Sequence, residues 1–183
     1  MKRNLLIELL KNYFPLSEEE KKYKIRMLDF IIKHDNCFDR SLESGHITAS
    51  AWLLNKKASH VLLMHHTKLN IWVQLGGHCD GDFNPLAVAI KEASEESGLS
   101  SIVPVQEKIF DIDIHLIPEN KNQKPHYHYD IRFLLKVENN EEIQPNHESK
   151  ELRWVDKDLR KFPTNSLSVT RMFNKWIELP NCN

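Results

Sequence analysis

The sequence predicts a mixed α/β (α+β) fold, with short strands on either side of one sharply bounded central helix. Three features point there. Apolar stripes at helical spacing fill the first forty-odd positions, strand-like segments recur from residue 46 to residue 155, and a helix near residues 85–97 carries its own start and stop residues.

Leu5, Leu6, Leu9, Leu10 and Tyr13 form the first stripe, which Pro15 ends. Ser17 and Glu20 have the spacing of a capping box, and Tyr23, Met27, Phe30 and Ile31 carry a second helix to about His34. Residues 1–43 therefore read as a helical N-terminal extension without catalytic groups, and residues 44–183 as the main domain. His46–Leu54 and Val61–His65, joined by a polar turn, read as a hairpin, and Ile71–Leu75 as a short strand before Gly76 and Gly77. Phe110–Ile117 and Tyr127–Val137 alternate with period two across a polar connection from Pro118 to Pro125. Leu152–Val155 is a last strand, and Ser166–Leu179 closes the chain as a helix.

Composition excludes several classes of function. The 25 basic and 26 acidic side chains cancel to a net charge of -1, leaving no overall field to draw the chain onto nucleic acid or anionic lipid. No apolar run approaches the ~20 residues of a membrane span, and Glu8 and Lys11 interrupt the N-terminal one too early for a signal peptide. Cys37, Cys79 and Cys182 are odd in number and widely spaced, which argues against a disulfide framework and for a reducing, cytoplasmic setting.

The chain has 5 glycines, and Gly76, Gly77, Gly81 and Gly98 are clustered around one helix. Such clustering marks backbone that turns sharply or approaches something closely. Asn84 suits the N-cap, Pro85 the first helical position and Gly98 the stop. Leu86, Ala89, Ile90 and Ala93 give the helix its expected buried stripe, while Glu92, Glu95 and Glu96 share a face. Three carboxylates near the negative end of the helix dipole cost about 0.3–1 kcal/mol each. Only Lys91 offers local relief, and a hard divalent cation such as Mg²⁺ would offset the rest.

From Gly77 the chain reads GHCDGDFNPLAVAIKEASEESGL, which resembles the signature of the Nudix hydrolases. Gly77, Glu92, Glu95, Glu96, Gly98 and Leu99 match it; Lys91 stands for the family's arginine, Ala93 for its aliphatic residue, and Phe83 replaces its first glutamate. The resemblance implies a mixed sheet sandwiched between helices over residues 44–162. It also implies Mg²⁺-dependent hydrolysis, with Mn²⁺ as a substitute, of the diphosphate linkage in a small nucleoside diphosphate derivative. Glu92, Glu95 and Glu96 would be the metal ligands, and Glu92, Glu95 and Glu148 the catalytic residues. Glu148, six residues before Trp154, is the candidate loop base, with Glu151 the alternative. Gly76, Gly77, His78, Asp80, Asp82 and Lys91 would form the loop or bind substrate, with Asp80 or Asp82 covering for the glutamate that Phe83 replaces. The alternative function is a catalytically weak nucleotide-binding or regulatory module of the same fold. A homodimer is compatible with either.

The two alternating strands put Asp111, Asp113 and His115 on one face, and His126, His128 and Asp130 on one face of the partner. A second metal site, a substrate-contacting pocket lining that includes His126, His128 and Asp130, or a plain polar sheet face would each give this stripe. His65, His66 and His78 read as structural or pocket-edge groups, and the four tryptophans as core. Cys79 lies in an acidic stretch that would raise its pKa, so it is not a nucleophile candidate.

Overall fold

The computed structural model describes residues 3–119 and 123–179, so Cys182 and the middle of the Pro118–Pro125 connection lie outside the described residues. Two N-terminal helices, α1 (Asn4–Asn12) and α2 (Glu18–Lys33), precede strand β1 (Gly45–Leu54). Strands β2 (His60–His66), β3 (Trp72–Val73) and β4 (Leu75–His78) lead into helix α3 (Pro85–Ser97). Long strands β5 (Ile102–Ile117) and β6 (His126–Val137) follow, then β7 (Ser149–Asp156) and helix α4 (Leu167–Glu178).

The sheet is mixed, in the order β3-β2-β1-β6-β5, with β4 also paired to β1 and β7 to β2. The hairpin expected at the start is present at its tip, where Leu53 faces Leu62 and Leu54 faces Val61. Away from those two pairs β1 leaves β2 and pairs antiparallel with β4, while its other edge pairs parallel with β6 from Gly45 to Leu54. The segment expected as one strand over Ile71–Leu75 is two, and Gly76 and Gly77 lie inside β4 rather than after it.

Alternation along β1 and β6 gives each sheet face its own core. Ile47, Ala49, Ala51, Ile131 and Phe133 belong to one cluster with Val88, Ala89 and Ala93 of α3. Leu6, Leu10, Met27, Phe30 and Ile31 join that same cluster, so α1 and α2 share the core of the sheet. Phe30 stacks on Tyr129 of β6 with ring centroids 3.9 Å apart. Trp52, Leu54 and Leu134 face the other way and pack with Val169, Met172, Phe173 and Trp176 of α4. The sheet is thus sandwiched between helices, as expected. No helix among the described residues is long and apolar enough to cross a membrane.

Candidate active site

Strand β4 runs antiparallel to β1, with Gly77 opposite Ala49 and His78 opposite Thr48, and the chain then turns into α3. Asn84 caps the helix by accepting a 3.3 Å hydrogen bond from the Ala87 N–H. A Cβ on Gly77 would collide with Glu92 Oε2, so the missing side chain is the space the Glu92 carboxylate occupies. One residue earlier, the Gly76 N–H donates to Glu96 Oε2 at 2.8 Å. Gly98 ends the helix at φ 71, and a Cβ there would also strike the Gln144 side chain at 2.7 Å. The buried face of α3 is rotated from the stripe expected. Val88, Ala89, Ala93 and Glu96 are buried, Leu86 and Ile90 only partly so, and Glu95 points out.

The loop between β6 and β7 docks on the C-terminal end of α3. The Gln144 N–H donates to Ser97 O at 2.7 Å, and Asn146 Nδ2 to Glu95 O at 3.4 Å. This brings Glu148 to the site, where its charge raises the proton affinity of Glu92 and Glu96. Glu151 instead lies on β7 opposite His65 and pairs with Arg153 at 2.6 Å.

Two groups of inward carboxylates are treated in opposite ways by this fold. Asp111 is held by Arg132, Arg171 and Lys175, and Asp113 by Arg132 and Arg171, so both carboxyls titrate below the usual range despite burial. Glu96 has the reverse environment. Burial pushes its pKa up to about 8, the negative charges of Glu92, Glu148 and Glu95 add to the rise, and only the Gly76 N–H opposes it. Glu92 is raised as well, chiefly by burial. Lys91, largely exposed, pairs with Glu92 at 3.4 Å and Glu95 at 3.6 Å. Among the described residues no basic side chain comes within salt-bridge distance of Glu96. Buried Glu96 and part-buried Glu92, with exposed Lys91 as the one cation within salt-bridge distance of either among the described residues, are an oxygen-ligand pair that fits a hard divalent cation.

The glycine loop is otherwise occupied. Asp80, at φ 48, is ion-paired with Arg40 from the segment ahead of β1, and Asp82 accepts the Asn84 N–H at 2.9 Å. Phe83 packs against the core, its ring 5.3 Å from that of Phe38 in an edge contact. Cys79 is buried and its thiol pKa is pushed up by burial and nearby carboxylates, in keeping with its exclusion as a nucleophile.

The polar stripe of β5 and β6 does form one face, with Asp113 opposite Asp130 and His115 opposite His128, but it divides into two parts. The aspartates are structural. Asp130 is buried and accepts from Thr48, Ser50 and Arg132, which leaves it no edge for a substrate, and its neighbours are neutralised as described. Sequence reasoning missed Arg132, although it continues the alternation of His128 and Asp130; Arg171 and Lys175 arrive from α4 and left no local signal. The histidines gather at the other end. His46, not singled out from the sequence, is buried beside His78, His126 and His128.

Residues 45–169 match the family model described as the NUDIX domain. A protein of Lactococcus lactis subsp. cremoris named as a probable DHNTP pyrophosphohydrolase is 30% identical over 138 residues, covering 74% of this chain and 80% of that one. A NUDIX-family hydrolase from Clostridium perfringens is 26% identical with a TM-score of 0.54, covering 72% of this chain and 96% of that one. The E. coli dihydroneopterin triphosphate pyrophosphohydrolase shares the fold at 14% identity and a TM-score of 0.52, over 70% of this chain and 92% of that one. With its glycine strand, glutamate helix and matched domain, the chain belongs to the Nudix hydrolases, enzymes acting on phosphoric anhydride bonds.

Proposed function

We propose that the chain is a Mg²⁺-dependent pyrophosphohydrolase that cleaves the diphosphate linkage of a small nucleoside diphosphate derivative, with Mn²⁺ able to substitute. The observation that carries this reading is Glu96: a buried carboxyl with no basic partner among the described residues, turned to β4 and raised in proton affinity by the charges of Glu92, Glu148 and Glu95. Glu92, Glu95 and Glu96 would hold the ion, which when bound supplies the positive charge that a developing phosphoryl transition state requires.

The remaining work falls to the chain. Glu148, exposed on the loop docked against α3, takes the proton of the attacking water. The Gly76–Gly77 strand fixes the carboxylates by backbone contact, and Lys91 at the exposed rim attracts the polyphosphate. Dihydroneopterin triphosphate belongs among the substrates to be tried, because the Lactococcus relative and the E. coli fold neighbour carry that activity in their names.

The test is phosphate and pyrophosphate release over a panel of nucleoside triphosphates, nucleoside diphosphate sugars and dihydroneopterin triphosphate, with Mg²⁺ and with chelator. Mg²⁺-dependent turnover that Glu96→Gln removes is expected. Tight binding of a panel member without turnover would establish the regulatory-module alternative instead.

A further inference from the structure

His46 sits on β1, is 1% exposed, and neither of its ring nitrogens has a hydrogen-bond partner among the described residues. Pairing of parallel strands puts it directly opposite His128 of β6, whose Nε2 is likewise buried and unpartnered. His78, ending β4 opposite Thr48, completes a triangle, with ring centroids 5.0 Å from His46 and 5.0 Å from His128. One ring nitrogen from each of the three lies within 4.8 Å of the others. Leaving such buried polar atoms unsatisfied is costly, because their desolvation is not repaid by any hydrogen bond.

We propose that His46, His78 and His128 are the ligands of a zinc-type divalent transition-metal ion, at a site separate from the glutamate face of α3. Imidazole nitrogen selects zinc-type ions over Mg²⁺, which prefers oxygen. Zinc–nitrogen bonds of about 2.0–2.1 Å in a tetrahedral site set ligand nitrogens about 3.3–3.4 Å apart, so a bound ion would draw the three nitrogens, now within 4.8 Å, closer together.

Two further histidines beside the triangle are held as metal-binding histidines are. His126, stacked 5.1 Å from His46, fixes its tautomer through a 2.9 Å contact of Nδ1 with Lys124 O. His115, 5.4 Å from His128, is paired through Nδ1 with Asp113 at 3.0 Å. Either can present Nε2 as a fourth ligand. The ion would tie the end of β4 to β1 and β6 just ahead of the turn into α3, and so hold in register the strand that positions Glu92 and Glu96.

The experiment uses the full chain and reads metal rather than activity, so its outcome is independent of the proposed hydrolysis. Protein loaded with Zn²⁺ or Co²⁺ is dialysed against excess Mg²⁺, which occupies oxygen sites, and metal content and the visible Co²⁺ spectrum are measured. About one ion per chain should remain, with a nitrogen-ligand Co²⁺ spectrum and a raised Tm. His46→Gln, His128→Gln and the partly buried His78→Gln should each weaken binding by at least the about 10–100-fold that even outer partners of metal ligands contribute. Glu96→Gln should bind as the wild type. No retained metal in the wild type, or loss in Glu96→Gln with retention in the histidine variants, overturns the proposal. If His46→Gln fails to fold, the His78→Gln result decides.

Discussion

The carboxylate of Glu92 fills the place where Gly77 would carry a side chain, with Cδ 2.6 Å from that Cβ position. Strand β4 and helix α3 meet at this point without a spacer. Gly77→Ala should push the Glu92 carboxylate aside, which a flexible side chain allows at little cost in stability. Turnover should fall by something like the ~10²-fold that an ångström of misplacement can cost. Unaltered kcat at saturating Mg²⁺ would separate Glu92 from the chemistry.

Glu95→Gln and Glu96→Gln should each remove most activity while the fold persists. The amide introduced by Glu96→Gln keeps an oxygen to accept the Gly76 N–H, so the link to β4 survives. The stability effect has a defined sign. Because the folded Glu96 carboxyl titrates near 8, above its unfolded range, its contribution is full at low pH and lost as pH rises through 8. In chelator, the wild type should therefore weaken between about pH 5 and 8, and Glu96→Gln should flatten that decline, by roughly 1–4 kcal/mol in urea titrations. Parallel pH profiles would contradict the raised proton affinity of the buried Glu96 carboxyl.

Glu148→Gln should lower kcat by the ~10²–10⁴-fold typical of a general acid–base group. Glu151→Gln should do far less, since Glu151 is spent on Arg153 along β7. Steady-state kinetics of the two variants check this, and a larger loss at Glu151 would reassign the base.

Phe83→Glu restores the glutamate of the Nudix signature, yet Phe83 packs against Phe38 and the core. It should destabilise the fold by about 1–3 kcal/mol without lowering the Mg²⁺ concentration for half-maximal activity. Asp80→Asn and Asp82→Asn should leave that concentration unchanged, because Arg40 and the Asn84 N–H engage the two carboxylates. Mg²⁺ titrations of the three variants decide between packing and metal support.

Asp111→Asn should cost about 3–5 kcal/mol, as expected when one partner of a buried ionic network is removed. Arg132, Arg171 and Lys175 hold the folded carboxyl below its ordinary range. Its contribution is therefore present above the usual carboxylate pKa and lost as pH falls through the depressed folded value. Urea midpoints of wild type and variant should differ most near neutrality and converge in acid.

Local punctuation and periodicity make much of this protein readable from the chain alone. Ser17 caps α2, Asn84 and Gly98 bound α3, and the period-two stripes of β5 and β6 face one way, each as neighbouring residues dictate. That Glu92 and Glu96 share one helix face is legible because i, i+4 spacing sets them there. Which charges meet is a different matter, settled by packing between distant segments. Glu20, half of a capping box by its spacing, is drawn inward to Tyr13 and Lys175. Asp111 and Asp113, candidates beside histidines for a second metal site, are claimed by two cations from α4, some 60 residues away. His46 and His128 meet because β1 and β6 run parallel, a pairing between strands about 80 residues apart that no local pattern encodes.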